Sequence, residues 1–142
     1  LMGEWSGKRN TVSDFFKSGK EIVEKLRNHI KRIDGLNPQK ITPKTTHSYS
    51  YFSLTIDPEL CRCNRDEFMA ALKAENIDCA VHYPTPLTNQ PVVKEIWDPD
   101  PCPISLETSK NILSLPLHPH ISEDNLRNII EGIDKVSRNY IK

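Results

Sequence analysis

Three groups of side chains in this 142-residue sequence have the types and spacing to do chemistry. The first runs from His82 to Pro91 and reads His-Tyr-Pro-Thr-Pro-Leu-Thr-Asn-Gln-Pro. An imidazole, a phenol, hydroxyls and amides are carried there on proline-stiffened backbone just beyond a strand, the kind of loop on which recognition concentrates. Its leading pair, His82 and Tyr83, is the best site candidate in the sequence, and a histidine that only satisfies a local hydrogen bond is the competing account of His82. The second group is the four cysteines, Cys61, Cys63, Cys79 and Cys102. Cys61-Arg-Cys63 with Cys79-Ala-Val-His82 could in principle supply a tetrahedral zinc site. However, the Cys-x-Cys gap is narrower than structural zinc prefers, and Cys79 and His82 would have to leave a strand on one side. Reduced, small, buried or edge thiols with no metal are the expectation. The third group is His118 and His120 around Pro119, whose spacing suits a metal poorly and which are read as surface or packing residues. No nucleophile elbow, P-loop, dinucleotide-binding glycine pattern or His-Glu-x-x-His occurs, so no catalytic residue is assigned.

The totals narrow the class. Nineteen basic residues balance nineteen acidic ones and interleave with them, leaving no footprint for nucleic acid. No apolar run approaches the roughly 20 residues of a membrane span, and no signal peptide is present. Thiols without a secretory context point to the cytoplasm. The sequence begins at Leu1 rather than at a conventional initiator, which suggests a trimmed or partial product. Its length suits one domain.

The elements that must position these groups follow from periodicity. Ile112 to Leu115, closed by Pro116, suits a buried strand, and Ser122 before Glu123 and Asp124 starts a helix with Leu126, Ile129, Ile130, Ile133 and Val136 on one face. Residues 1–14 read as a loop or tail. A first helix is expected from Ser13 and Asp14 to about Asp34, with Ile22, Val23, Leu26, Ile30 and Ile33 as its stripe and Gly35 as its stop. Asn37 to Thr46 reads as a connector and His47 to Asp57 as an alternating strand. Asn64 with Glu67 forms a capping box ahead of Phe68, Ala71 and Leu72, and Asn76 supplies a left-handed close. Ile77, Cys79 and Val81 alternate with Asp78, Ala80 and His82 as a second strand. Short helices are expected at Val92 to Trp97 and Ser105 to Asn111. The result is an α/β two-layer sandwich, a small three-stranded, mainly antiparallel sheet with helices on one face. The Ile112 strand is expected between the other two, antiparallel to both.

Three segments carry a family resemblance: His47-Ser48-Tyr49-Ser50-Tyr51-Phe52; Asn64 to Leu72 followed by Ile77 to Pro91, with His82-Tyr83-Pro84 and Gln90-Pro91; and Leu113 to Pro119 followed by Ser122-Glu123-Asp124. In this order and spacing the chain, from about Lys20 to its end, resembles the C-terminal small domain of the DegT/DnrJ/EryC1/StrS sugar aminotransferases, and that domain is expected to span residues 15–142. The resemblance implies the small domain of a fold type I enzyme that uses pyridoxal phosphate. Such an enzyme moves an amino group from an amino-acid donor to a nucleotide-linked keto sugar, usually as a homodimer. It also implies that the lysine holding the cofactor and the aspartate pairing its ring nitrogen belong to a large domain outside this chain. This chain alone would then hold no cofactor. His82, Tyr83 and Gln90 become the expected substrate-binding residues. Thr88 stands where family members usually carry histidine, and Arg9-Asn10 does not align cleanly with the family's phosphate-contacting pair, so it is not assigned. The rival readings are a non-catalytic binding or assembly module of the same fold and a zinc-bound α/β domain.

Overall fold

The structure, a computed structural model, describes residues 12–96, 102–118 and 121–142, with backbone alone for 12–18. In chain order its elements are α1 (Val12–Ile30), β1 (Leu36–Pro38), β2 (Phe52–Ile56), α2 (Arg65–Ala74), a 3₁₀ turn (Leu87–Asn89), α3 (Pro91–Ile96), α4 (Pro103–Asn111), β3 (Ile112–Leu115) and α5 (Glu123–Tyr140). Trp97, Arg9, Asn10 and His120 lie outside the described residues. The strands form one antiparallel sheet in the order β1-β2-β3.

Register decides what each sheet face presents. Phe52 lies opposite Leu115 and Leu54 opposite Leu113, while Ser53 faces Ser114 and Thr55 faces Ile112. The first set, with Ile56, is buried against Ile22, Val23, Leu26 and Ile30 of α1, Phe68 and Leu72 of α2, and Leu126, Ile129, Ile133 and Val136 of α5. The other face is polar, and the Ser53 and Ser114 hydroxyls meet there at 3.1 Å. This is the expected two-layer sandwich, built from amphipathic helix faces on a pleated sheet.

Local chemistry sets the element ends. Asn64 Oδ1 accepts from the Asp66 and Glu67 N–H groups at 2.9 and 3.0 Å, and the Glu67 carboxylate accepts from Asn64 N–H at 2.9 Å, completing the capping box. Ser122 Oγ accepts from Asn125 N–H at 3.1 Å and starts α5. Asn76 takes the left-handed conformation expected of it (φ 60°). Helix α1 already includes Val12 to Asp14 and stops at Ile30, earlier than expected. A turn through residues 31–34 follows before Gly35 reverses the chain at φ 80°. Helix α4 begins earlier than expected, at Pro103, whose fixed φ suits a first helical position.

Three strand expectations are corrected. The alternating strand expected from His47 to Asp57 is confined to Phe52–Ile56, and residues 47–51 ahead of it are outside any strand. The expected connector after Asn37 contains part of β1, a three-residue edge strand too short to show alternation. Pro38 has no N–H, and Gln39 continues the edge in its place: its N–H donates to Ser53 O at 2.9 Å and its Oε1 accepts from Ser53 N–H at 3.0 Å. The expected strand at residues 77–82 is a single bridge, Ala80 opposite Ser114. It does lie on the far side of β3 from β2, antiparallel, as expected. Ala80 and Ser114 exchange both backbone bonds, at 3.1 and 2.7 Å, so the next rungs in such a ladder would be Asp78 with Pro116 and His82 with Ile112. Pro116 has no N–H to give. Ile112 spends its N–H on Thr108 O, capping α4, and its C=O on the Arg65 guanidinium at 2.9 Å. Pairing therefore ends after one rung in both directions.

Candidate functional site

Where the ladder stops at Ile112, the chain opens into a groove of about 550 Å³. His82, Tyr83 and Gln90 line one side, and Thr108, Ser109 and Ile112 line the other. Prolines shape the first side. Pro86 is buried, and from it the Leu87–Asn89 turn closes through Asn89 N–H to Pro86 O at 2.9 Å. Gln90 then accepts from the N–H groups of Val93 and Lys94, starting α3, while its side-chain amide reaches Thr85 O at 3.4 Å. Stiff backbone thus holds Gln90 at the groove. Tyr51, which leaves the polar side of the sheet just ahead of β2, packs against the His82 ring with centroids 4.5 Å apart and the ring planes tilted by 40°. Tyr83 meets the same imidazole edge-on at 6.2 Å and is 75% exposed, and the peptide joining His82 to Tyr83 is cis. Thr88 does not line the groove; its hydroxyl donates to Asn89 Oδ1 at 3.2 Å.

The three residues expected to bind substrate are thus brought to one wall of one groove. Two contributors went unread in the sequence. Tyr51 and Arg65 each stand in a segment that carries the family resemblance, but nothing local to either shows that Tyr51 reaches the His82 ring or that Arg65 bonds the opposite wall.

The donor set tells what this groove can do. Imidazole, phenol, amide and hydroxyl groups can hydrogen-bond a polyhydroxylated ligand, and Pro86, Leu87 and Ile112 give it apolar surface. Among the described residues, the lining contains no lysine amine to hold pyridoxal phosphate and no carboxylate to pair with its ring nitrogen. The residues of this groove therefore do not fit that cofactor.

The cysteines do not form a metal centre: among the described residues, no three His, Cys, Asp or Glu side chains cluster as a metal ion would need. Cys61, Cys63 and Cys79 are buried and Cys102 is exposed. Burial raises the Cys61 thiol, with Asp57 adding to it. Cys63 is pushed up to about 11 by burial, then by Cys61 and Glu67. Cys79 is pushed up to about 12, chiefly by burial. Such thiols stay protonated and are poor nucleophiles.

A second groove, of about 670 Å³, lies at the Pro116 end of β3. Glu75, Asp78, Glu131, Lys135 and the exposed His118 line it, and Lys135 is paired with Glu75 at 2.7 Å.

The family model described as the DegT/DnrJ/EryC1/StrS aminotransferase family matches residues 8–134. Over 85 residues, 60% of this chain, the sequence is 31% identical to the UDP-2-acetamido-2-deoxy-3-oxo-D-glucuronate aminotransferase of Pseudomonas aeruginosa, and the match covers 21% of that protein. It is 24% identical over 128 residues to the dTDP-3-amino-3,6-dideoxy-alpha-D-galactopyranose transaminase of Aneurinibacillus thermoaerophilus, covering 90% of this chain and 33% of that one. The fold superposes on PseC of Helicobacter pylori, an aminotransferase involved in the biosynthesis of pseudoaminic acid, with a TM-score of 0.76 at 16% identity, covering 87% of this chain and 33% of that one. The chain thus spans a third or less of the length of these relatives. No helix among the described residues is long and apolar enough to cross a membrane.

Proposed function

The chain belongs to the DegT/DnrJ/EryC1/StrS aminotransferase family, and from that premise we propose that residues 15–142 are the C-terminal small domain of a pyridoxal-phosphate-dependent enzyme that aminates a nucleotide-linked keto sugar. The cofactor supplies the amino-group carrier chemistry when bound, on residues outside this chain. What this chain contributes is the wall of the substrate cleft. His82, Tyr83 and Gln90 orient the sugar through hydrogen bonds, Pro86 and Leu87 exclude water, and the proline-stiffened backbone keeps these groups from rearranging as substrate arrives. The complete enzyme works in the cytoplasm as a homodimer, taking its amino group from an amino-acid donor.

The observation that carries this proposal is the convergence of His82, Tyr83 and Gln90 on one groove at the place where strand pairing breaks off. The test is to isolate the full-length gene product and assay it with pyridoxal phosphate, glutamate or glutamine, and a panel of nucleotide-linked 3- and 4-keto sugars. Formation of an amino sugar, detected by mass spectrometry, supports the proposal. A reading frame that encodes no cofactor-binding lysine domain, or a product inert towards the whole panel, overturns it. The 142-residue chain by itself should leave the cofactor's absorbance unchanged and transfer no amino group.

A further inference from the structure

Arg65 is 9% exposed, and its guanidinium reaches three places. Nε donates to Asp66 Oδ1 at 2.6 Å, and Nη1 donates to Ser109 O at 3.3 Å and to Ile112 O at 2.9 Å. Its own position is the first of α2. It therefore ties the start of one helix to the last turn of α4 and to the first residue of β3. Ser109 and Ile112 are both groove-wall residues.

We propose that Arg65 is the positioning residue of this groove: it fixes the wall formed by α4 and Ile112, and by occupying the Ile112 carbonyl it prevents His82 from pairing as a strand residue. The proposal rests on reading the groove as the substrate side. Antiparallel geometry makes His82 N–H the natural donor to Ile112 O, since Ala80 and Ser114 already exchange both bonds two residues away. The guanidinium takes one of that carbonyl's two acceptor positions, and Thr108 O takes the Ile112 N–H that the rung would also need. The imidazole is left at the groove, where the Tyr51 ring packs against it. Only arginine does this economically. Its planar guanidinium holds Asp66 through Nε while Nη1 meets both carbonyls, and a lysine ammonium, with one nitrogen, cannot reach all three in the same geometry. The last turn of a helix also presents carbonyls that lack intrahelical donors and the negative end of its dipole, which a cation satisfies. A buried cation needs partners, and Asp66 with the two carbonyls provides them.

The test compares the wild-type full-length enzyme with Arg65→Met, which keeps the stem and removes the fork, and with Arg65→Lys. Hydrogen exchange is read by peptide, and steady-state kinetics by varying the keto sugar. For Arg65→Met the expected result is exchange about tenfold faster across residues 105–112, slower exchange at His82 as the released carbonyl recruits its N–H, and little change in α5. KM for the sugar should rise about tenfold while kcat stays within about twofold, because wall placement acts mainly on binding. Arg65→Lys should recover part of the exchange protection but not the KM. Unchanged exchange at 105–112 overturns the proposal. So does uniformly faster exchange throughout the chain, which marks a general stability residue, and so does a loosened wall with an unaltered KM. If the wild-type enzyme aminates no keto sugar, the functional reading fails separately, and the exchange pattern alone decides whether Arg65 holds the wall and keeps His82 unpaired.

Discussion

At its Pro116 end β3 stops pairing with the Ala80 segment because the next residue has no N–H to offer. At its Ile112 end it stops because a side chain from α2 and the last turn of α4 have claimed both backbone groups. The first stop is fixed by covalent structure, and the second depends on two tertiary contacts, the Arg65 guanidinium on Ile112 O and Thr108 O on Ile112 N–H. The two grooves beside them differ accordingly. The Pro116 groove is lined by Glu75, Asp78 and Glu131 with Lys135, which is paired with Glu75, so it is an acidic surface with one ion pair. The Ile112 groove has neutral hydrogen-bonding groups and exposed apolar surface, including Tyr83 and Leu87, and these are groups a ligand can satisfy. A binding surface arises where the fold leaves pairing potential unspent, and the contrast between the ends can be broken at four points.

The largest effect should come from the strand both ends share. Leu115 is 4% exposed, opposite Phe52, in the core beneath both grooves. Leu115→Ala should lower stability by about 2–5 kcal/mol in chemical denaturation, through lost transfer energy and the cavity left behind. A loss below about 1 kcal/mol would mean that β3 is peripheral and that neither groove is anchored on it.

Next in size is a change confined to the Pro116 end. A Cβ on Gly132, within α5, would come to 2.5 Å from Ile77 Cδ1, and Ile77 is itself buried. Gly132→Ala should gain about 1 kcal/mol of helix propensity. Against this, forcing Ile77 into a filled core costs about 1–3 kcal/mol. The overpacking should win, lowering the unfolding midpoint while leaving the kinetics at the Ile112 groove as they were. A stabilised variant would show that Ile77 moves aside freely and that packing at this end is loose.

These two ends also show how far the sequence could be read. The capping box at Asn64 and Glu67, the left-handed Asn76, the Ser122 start of α5 and the stripe from Ile22 to Ile30 were legible because each signal lies within a few residues of its effect. The alternation from Ile77 to His82 was genuine too, since Ile77 and Cys79 are buried. Alternation reports where side chains want to be, whereas the number of rungs depends on which backbone groups remain available. That was decided by Pro116 at one end and, at the other, by the α4 cap on Ile112 N–H together with Arg65, 47 residues from Ile112 in sequence. The three residues of β1 left no periodic trace, and Pro38 argued against a strand there. His82, Tyr83 and Gln90 could be named from the loop and from the family resemblance. The wall they face could not, because α4 reaches them only through the tertiary fold.

A pair of histidine substitutions sharpens the comparison at the level of activity. In the full-length enzyme His82→Ala should lower kcat/KM about tenfold, equivalent to about 1.4 kcal/mol of transition-state binding, with little change in stability. His118→Ala, in the exposed corner at the other end, should change kcat/KM by less than about twofold, since nothing there orients the sugar. Equal losses from both would erase the distinction between the ends. A collapse in the stability of His82→Ala with normal activity per folded molecule would make His82 a structural residue.

The smallest effect should come from the one cation of the Pro116 groove. Lys135 Nζ lies 2.7 Å from a Glu75 oxygen and ties α5 to the residue that caps α2, with side-chain exposures of 64% and 28%. Geometrically this contact is as close as those of Arg65, yet the expected consequence of cutting it is much smaller. The lysine is mostly in water, so its charge gains little from the partner, and ordering two long side chains offsets part of that gain. Lys135→Met should therefore cost less than about 1 kcal/mol, and raising ionic strength should shrink even that difference, because exposed pairs are screened by salt. Arg65→Met leaves the buried Ser109 carbonyl, the part-buried Ile112 carbonyl and Asp66 without their donor, a loss that salt cannot screen in the same way. Denaturation of both variants at low and high salt separates the cases. A salt-sensitive, sub-kilocalorie loss at Lys135 beside a larger, salt-insensitive loss at Arg65 keeps the two ends distinct. A large, salt-independent loss at Lys135 would mean that the Pro116 groove is closed around a desolvated ion pair, and the two ends would then be built alike.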